Sequence, residues 1–130
     1  MKKLLSLCLI TGSLLSCTKK STPTPPVTTA NVIQYSFSAD SSGMYVMNYY
    51  DGVSSGTAES ITASSWSKSI TIPSGTTTAN IFFTAGQNPP YANNTGTVTI
   101  KLNGKTVATG SKQFTSTSTL AQANYTYINN

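Results

Sequence analysis

From Val32 onward the chain alternates apolar and polar side chains. Over Val32–Ala39, Ile33, Tyr35, Phe37 and Ala39 alternate with Gln34, Ser36 and Ser38, the period of two expected of a strand with one buried face. Tyr45, Met47 and Tyr49 repeat the pattern up to the turn pair Asp51-Gly52, and predict a second strand in a hairpin with the first. A weaker strand is expected over Thr57–Thr62 and a better one over residues 66–72, with Ile70 and Ile72 on one face. Residues 78–85 place Ala79, Ile81 and Phe83 on one side and turn Phe82 to the other, where its ring needs a partner. Residues 96–103 form the clearest strand, with Val98, Ile100 and Leu102 inward. Asn103-Gly104 then gives the strongest short hairpin signal, because both residues tolerate positive φ. Residues 105–110 return from that turn, and Ala121, Ala123, Tyr125 and Tyr127 line one side of a last strand. Residues 120–124 can also be read as a short helical turn; the unbroken run through Tyr125 and Tyr127 to Ile128 favours strand.

Short strands, about seven or eight, with turn signals about every 8–12 residues predict an all-β domain over residues 31–130, an antiparallel, Ig-like β-sandwich. Ser and Thr dominate its composition and its aromatics are mostly Tyr, which suits strands better than helices. A domain of this size buries only about two thirds of its unfolded surface. The large rings of Trp66 and the Tyr and Phe set are therefore expected to carry much of the core.

The first thirty residues follow another pattern. Met1-Lys2-Lys3 is a short positive region, followed by an apolar stretch over residues 4–10 that is too short to cross a bilayer as a helix and has the length of a signal peptide. Leu14-Leu15-Ser16-Cys17 resembles the lipobox of bacterial lipoproteins, with a small residue just before the cysteine. Residues 1–16 are thus expected to be removed and Cys17 to carry acyl chains, since several chains give the firm anchoring that one cannot. An ordinary secretory signal, with Cys17 an idle thiol, is the alternative. Residues 17–30 then form a tether rich in Pro and Thr with almost no large apolar side chains, an extended spacer rather than part of a core. Thr18, rather than Asp, after the cysteine points to the outer membrane, and Lys19-Lys20 in place of an acidic cluster favours its periplasmic face.

Charge and chemistry narrow the function. The eight lysines and three acids give a net charge of +5, but four of the lysines precede residue 31. Beyond it Lys68, Lys101, Lys105 and Lys112 face Asp40, Asp51 and Glu59, a scattered and nearly neutral set. Nucleic-acid binding requires clustered cations and is set aside. The chain has no His, and both cysteines, Cys8 and Cys17, lie before the domain. The domain therefore offers neither imidazole nor thiol, which removes most nucleophilic, general-base and transition-metal chemistry. No Asp-x-Asp spacing is present to hold calcium. A two-carboxylate hydrolase is formally open, but Asp51 precedes Gly52 and Asp40 precedes Ser41-Ser42-Gly43, places where turns favour Asp. A protein without enzymatic activity and without a cofactor is the reading these residues favour.

Four strings, in order, resemble the MmpS family of small accessory proteins of mycobacterial-type lipid exporters. They are Val32-Ile33-Gln34-Tyr35-Ser36-Phe37-Ser38, Met47-Asn48-Tyr49-Tyr50-Asp51-Gly52, Trp66-Ser67-Lys68 leading into Ile70-Thr71-Ile72, and Gly96-Thr97-Val98-Thr99-Ile100-Lys101-Leu102-Asn103-Gly104-Lys105-Thr106-Val107. The resemblance covers most of residues 32–110 and implies a membrane-tethered, periplasmic β-sandwich that assists a resistance-nodulation-division transporter. The family often carries a disulfide late in the domain, and it is usually tethered by a transmembrane helix; this chain has neither cysteine in its domain and a lipobox-like anchor instead. Fold transfers across such departures more readily than function. The membrane, through Cys17, and an envelope transporter or other envelope protein are the partners this implies. The alternative is an envelope lipoprotein that binds a glycan or small ligand. Candidate contact residues are Tyr50, Trp66 and Tyr91, the last in the polar loop 87–94 where sandwich domains place recognition. Trp66 is read first as a core anchor between the sheets and second as an exposed stacking surface.

Overall fold

The computed structural model describes residues 30–53, 56–87, 94–115 and 119–129. Cys17, with the rest of residues 1–29, and Tyr91, between β5 and β6 in the chain, lie outside the described residues. The strands are β1 (Val32–Ala39), β2 (Met44–Tyr49), β3 (Thr57–Thr62), β4 (Ser65–Thr71), β5 (Thr78–Gln87), β6 (Asn94–Leu102), β7 (Lys105–Phe114) and β8 (Leu120–Ile128). They form two antiparallel sheets of four, ordered β4-β1-β6-β7 and β3-β2-β5-β8, packed face to face as a β-sandwich. All eight runs read from the alternation are strands, and the weak run Thr57–Thr62 is a full one, paired along its length with β2.

The expected hairpin between β1 and β2 does not form. β1 pairs with β4 and β6, whereas β2 pairs with β3 and β5 in the opposite sheet. Alternation fixes which face of a strand is buried but not the sheet to which it belongs. Here the buried faces of β1 and β2 meet across the core, with the rings of Phe37 and Tyr45 4.8 Å apart. Two hairpins remain, β2–β3 and β6–β7, and the other connections pass from sheet to sheet. The β6–β7 turn is the predicted one: Asn103 and Gly104 adopt φ of 50° and 82°, the pair of positive values that a two-residue type I′ turn requires.

The core is built from rings. Tyr35, Tyr45, Phe83 and Phe114 are fully buried with Ile33, Met47, Ile81, Val98 and Ile100. Each close ring pair joins one sheet to the other: Tyr35 with Tyr49 and Phe83, Phe37 with Tyr45, Tyr45 with Phe114, and Trp66 with Tyr49 and Phe83. Rings span the roughly 10 Å between stacked sheets, and such pairs add about 0.5–1.5 kcal/mol each beyond their burial. Buried hydroxyls are satisfied locally. Tyr35 donates to the Tyr50 carbonyl at 2.8 Å and Tyr45 to the Ser41 carbonyl at 2.6 Å.

The two flanks of the sandwich differ. On one, β7 packs directly against β8, and Gly110 lies against the Gln122 backbone. On the other, β3 and β4 are the outer strands of their sheets, and backbone packing between them is sparse. Side chains fill that seam.

Candidate functional site

The seam between β3 and β4 brings an ion pair beside the half-buried ring of Trp66. Alternation sends Thr57, Glu59 and Ile61 of β3 and Trp66 and Ile70 of β4 inward, all half-buried, with Lys68 between the last two. The two strands are joined through Ala63-Ser64, so Glu59 and Lys68 stand at equal distances in sequence from that turn. They meet as an ion pair at 3.5 Å, with side chains 38% and 45% exposed.

Glu59 is the hub. Its Oε1 accepts from the Trp66 indole N–H at 3.4 Å and its Oε2 from the Tyr49 hydroxyl at 3.3 Å, beside the Lys68 ammonium. The Trp66 hydrogen bond holds the Glu59 carboxyl below its usual value; burial opposes it, and Lys68 and Tyr49 add to the lowering. Behind it the Trp66 ring packs on Tyr49 and Phe83, with centroids 5.4 and 5.5 Å away. Trp66 thus fits both sequence readings: one face is a core anchor, and the ring is only half-buried at the flank.

The other carboxylates serve the backbone. Asp51 Oδ1 accepts from the Val53 N–H at 2.9 Å and Oδ2 from the Thr57 hydroxyl at 2.7 Å, which fixes the β2–β3 turn. Asp40 Oδ2 accepts from the Thr95 N–H at 2.9 Å and ties β6 to the end of β1. A carboxylate held ionised by three donors, like Glu59, is a poor proton donor near neutral pH; the seam is suited to gripping a partner by hydrogen bonds, charge and stacking. Among the described residues no three His, Cys, Asp or Glu side chains come together to hold a metal ion, and no helix is long and apolar enough to cross a membrane.

Tyr50 is not brought to Trp66 as a second stacking surface. It follows Tyr49 at the end of β2, its hydroxyl donates to the Gly52 carbonyl at 3.0 Å, and its own carbonyl receives Tyr35. Its ring is therefore pinned into the turn. Sequence reasoning placed Trp66 in the site but missed its gathering with Glu59, Lys68 and Tyr49. Opposite charges equidistant from a short turn are the signal that finds them. No family model matches this chain, and no curated protein is similar enough to match it.

Proposed function

We propose that this chain is a non-enzymatic, lipid-anchored envelope protein whose β-sandwich works by contact, as an accessory module beside an envelope transporter of the kind the MmpS-like strings imply. The observation that carries this reading is the flank between two outer strands, where Trp66, Glu59 and Lys68 reach the surface in front of the buried Tyr49 ring. Outer strands accept a further strand from a partner, and a half-buried Trp beside charged groups is typical of the anchors that dominate binding energy. The engagement of Asp40, Asp51 and Glu59 in structural hydrogen bonds supports the non-enzymatic part. The address rests on the lipobox-like Cys17 and the Pro/Thr-rich residues that follow it.

Photo-crosslinking in cells tests the contact. A photoreactive residue at Ser60 of β3 or Ser69 of β4 should capture a defined envelope protein that the same residue at Gln113 of β7 does not capture. Equal capture from both flanks, or capture from neither under conditions that preserve known envelope complexes, rejects the reading. Labelling with palmitate tests the address: wild type should take up label and Cys17→Ser should not.

A further inference from the structure

We propose that a cleft at one end of the sandwich, formed by the β4–β5 turn and the two chain ends of the domain, is a binding site for a single neutral sugar ring. It encloses about 160 Å³ and is lined by Ala30, Asn31, the turn from Ile72 to Thr76, Tyr127 and Asn129. That is smaller than the roughly 300–1,000 Å³ of sites for drug-sized ligands, and suits one ring.

The walls are pinned before any ligand arrives. Asn31 donates through Nδ2 to the Tyr127 hydroxyl at 2.8 Å and accepts through Oδ1 from Asn103 Nδ2 at 2.8 Å. Its carbonyl receives the Ile72 N–H at 2.8 Å, and the Asn129 N–H reaches the Thr77 carbonyl at 2.8 Å. Pro73 to Thr76 is a tight turn closed by Thr76 N–H to the Pro73 carbonyl at 3.2 Å, with Gly75 at φ +89°, the position where a type II turn calls for glycine. Apart from its chain neighbours Ser74 and Thr76, no described residue comes within 4 Å of where a Gly75 side chain would begin, so this lip of the cleft stays open. Preorganised walls spare a ligand the cost of ordering them.

The chemistry of the lining selects the class. Tyr127 accepts from Asn31 and keeps its own hydrogen to donate; the Ser74 and Thr76 hydroxyls and the Asn129 carboxamide have no hydrogen bond to other described residues. Donors and acceptors that are neutral and of both kinds, set around Ile72, Pro73 and the Tyr127 ring, match a ring carrying hydroxyls on its edge and C–H groups on its face. None of the lining residues bears a formal charge at neutral pH, so an anionic or cationic ligand finds no counter-charge among them.

The test is an NMR titration of the full chain in detergent with glucose, N-acetylglucosamine and their β-1,4-linked disaccharides, with glucuronate as the charged comparison. The proposal expects saturable shifts confined to the amides of Asn31, Ile72, Thr76, Tyr127 and Asn129, with glucuronate binding no better than glucose. Tyr127→Phe should weaken binding roughly five- to tenfold, the scale of one hydrogen bond. Ser74→Trp, at an exposed turn position, should abolish binding with the fold intact, which keeps the test decisive if Tyr127→Phe folds poorly. Absence of saturation by about 50 mM for every neutral sugar, tighter binding of glucuronate, or shifts centred on Trp66 and Glu59 would overturn it. The cleft and the β3/β4 flank are separate surfaces, so loss of either assignment leaves the other standing.

Discussion

Gly110 of β7 and Gln122 of β8 come so close that a β-carbon on Gly110 would overlap the Gln122 carbonyl. This contact lets the two sheets meet along one flank, and the opposing atom is backbone, which cannot swing aside. Gly110→Ala should therefore destabilise the domain by about 2–3 kcal/mol, at the upper end of overpacking costs. Gly104→Ala, whose β-carbon would meet nothing within 4 Å, should cost no more than about 1–2 kcal/mol through its positive φ alone. Denaturant unfolding should separate the two; equal losses would mean that β7 and β8 move apart freely.

Much of the fold could be read from local pattern, because burial face and turn chemistry are local properties. The inward positions Tyr45, Met47, Ile81, Phe83, Val98 and Ile100 and the Asn103-Gly104 turn are all as the alternation predicts. Phe82, the residue turned outward, finds its partner at Gly56, where a β-carbon would stand only 3.1 Å from the ring. Pairing between distant strands left no such trace, which is why β1 and β2 were expected in one sheet. Phe114 is fully buried yet ends a polar run, Gly110-Ser111-Lys112-Gln113, so no alternation announced it. Its ring occupies the space that a Gly96 side chain would need, a match of small and large visible only once β6 and β7 are paired. The seam around Glu59 was hidden for the same reason.

Glu59 and Trp66 give the seam a spectroscopic handle, since Trp66 is the sole tryptophan. The Glu59 carboxyl titrates below its ordinary value of 4.5, chiefly because the indole N–H donates to it. A depressed folded-state value means that its contribution to stability is present above the unfolded pKa and is lost as pH falls through the folded one. The groups are more than a third exposed, so solvent screening limits that contribution to about 0–1 kcal/mol. Trp66 emission should shift on acidification with a midpoint below 4.5, and Glu59→Gln should remove the shift while changing stability by no more than about 1 kcal/mol. A midpoint at or above 4.5 would show that the hydrogen bond does not persist in solution.

Tyr35 governs the alkaline side. Burial, reinforced by the neighbouring Tyr50, Asp51 and Tyr49, pushes its hydroxyl far above the usual tyrosine value of 10.0. For a raised pKa the contribution is complete below the unfolded value and drains away as pH rises past it. Stability should therefore fall from about pH 10 upward, and Tyr35 should ionise only as the domain unfolds, in step with loss of strand signal. Tyr35→Phe removes the bond to the Tyr50 carbonyl and should cost about 0.5–1.5 kcal/mol at neutral pH while flattening the alkaline decline. An alkaline decline unchanged by the substitution would place its origin in another tyrosine.

Gln87, the last residue of β5, and Asn94, the first of β6, are both buried, at 4% and 3% exposure, and their fates differ. Asn94 Nδ2 donates to the Tyr45 hydroxyl at 2.6 Å, and its Oδ1 accepts from the Ser41 N–H at 3.2 Å, so its carboxamide joins both sheets to the β1–β2 connection. Gln87 lies beside Gly43 and pairs with Tyr45 across the β2–β5 ladder, yet neither Oε1 nor Nε2 has a hydrogen-bond partner among the described residues. A buried amide pays its full desolvation cost when unpaired, whereas an apolar group of similar shape pays none. Gln87→Met keeps the volume and should raise stability by about 1–2 kcal/mol, while Asn94→Ala, which strips a donor from Tyr45 and an acceptor from Ser41, should lower it by about 1–3 kcal/mol. Denaturant midpoints of the two variants measured side by side decide the matter: should Gln87→Met prove the more damaging, its carboxamide is engaged in solution and this end of the sandwich is a polar network, with the packing of Tyr45 depending on both amides.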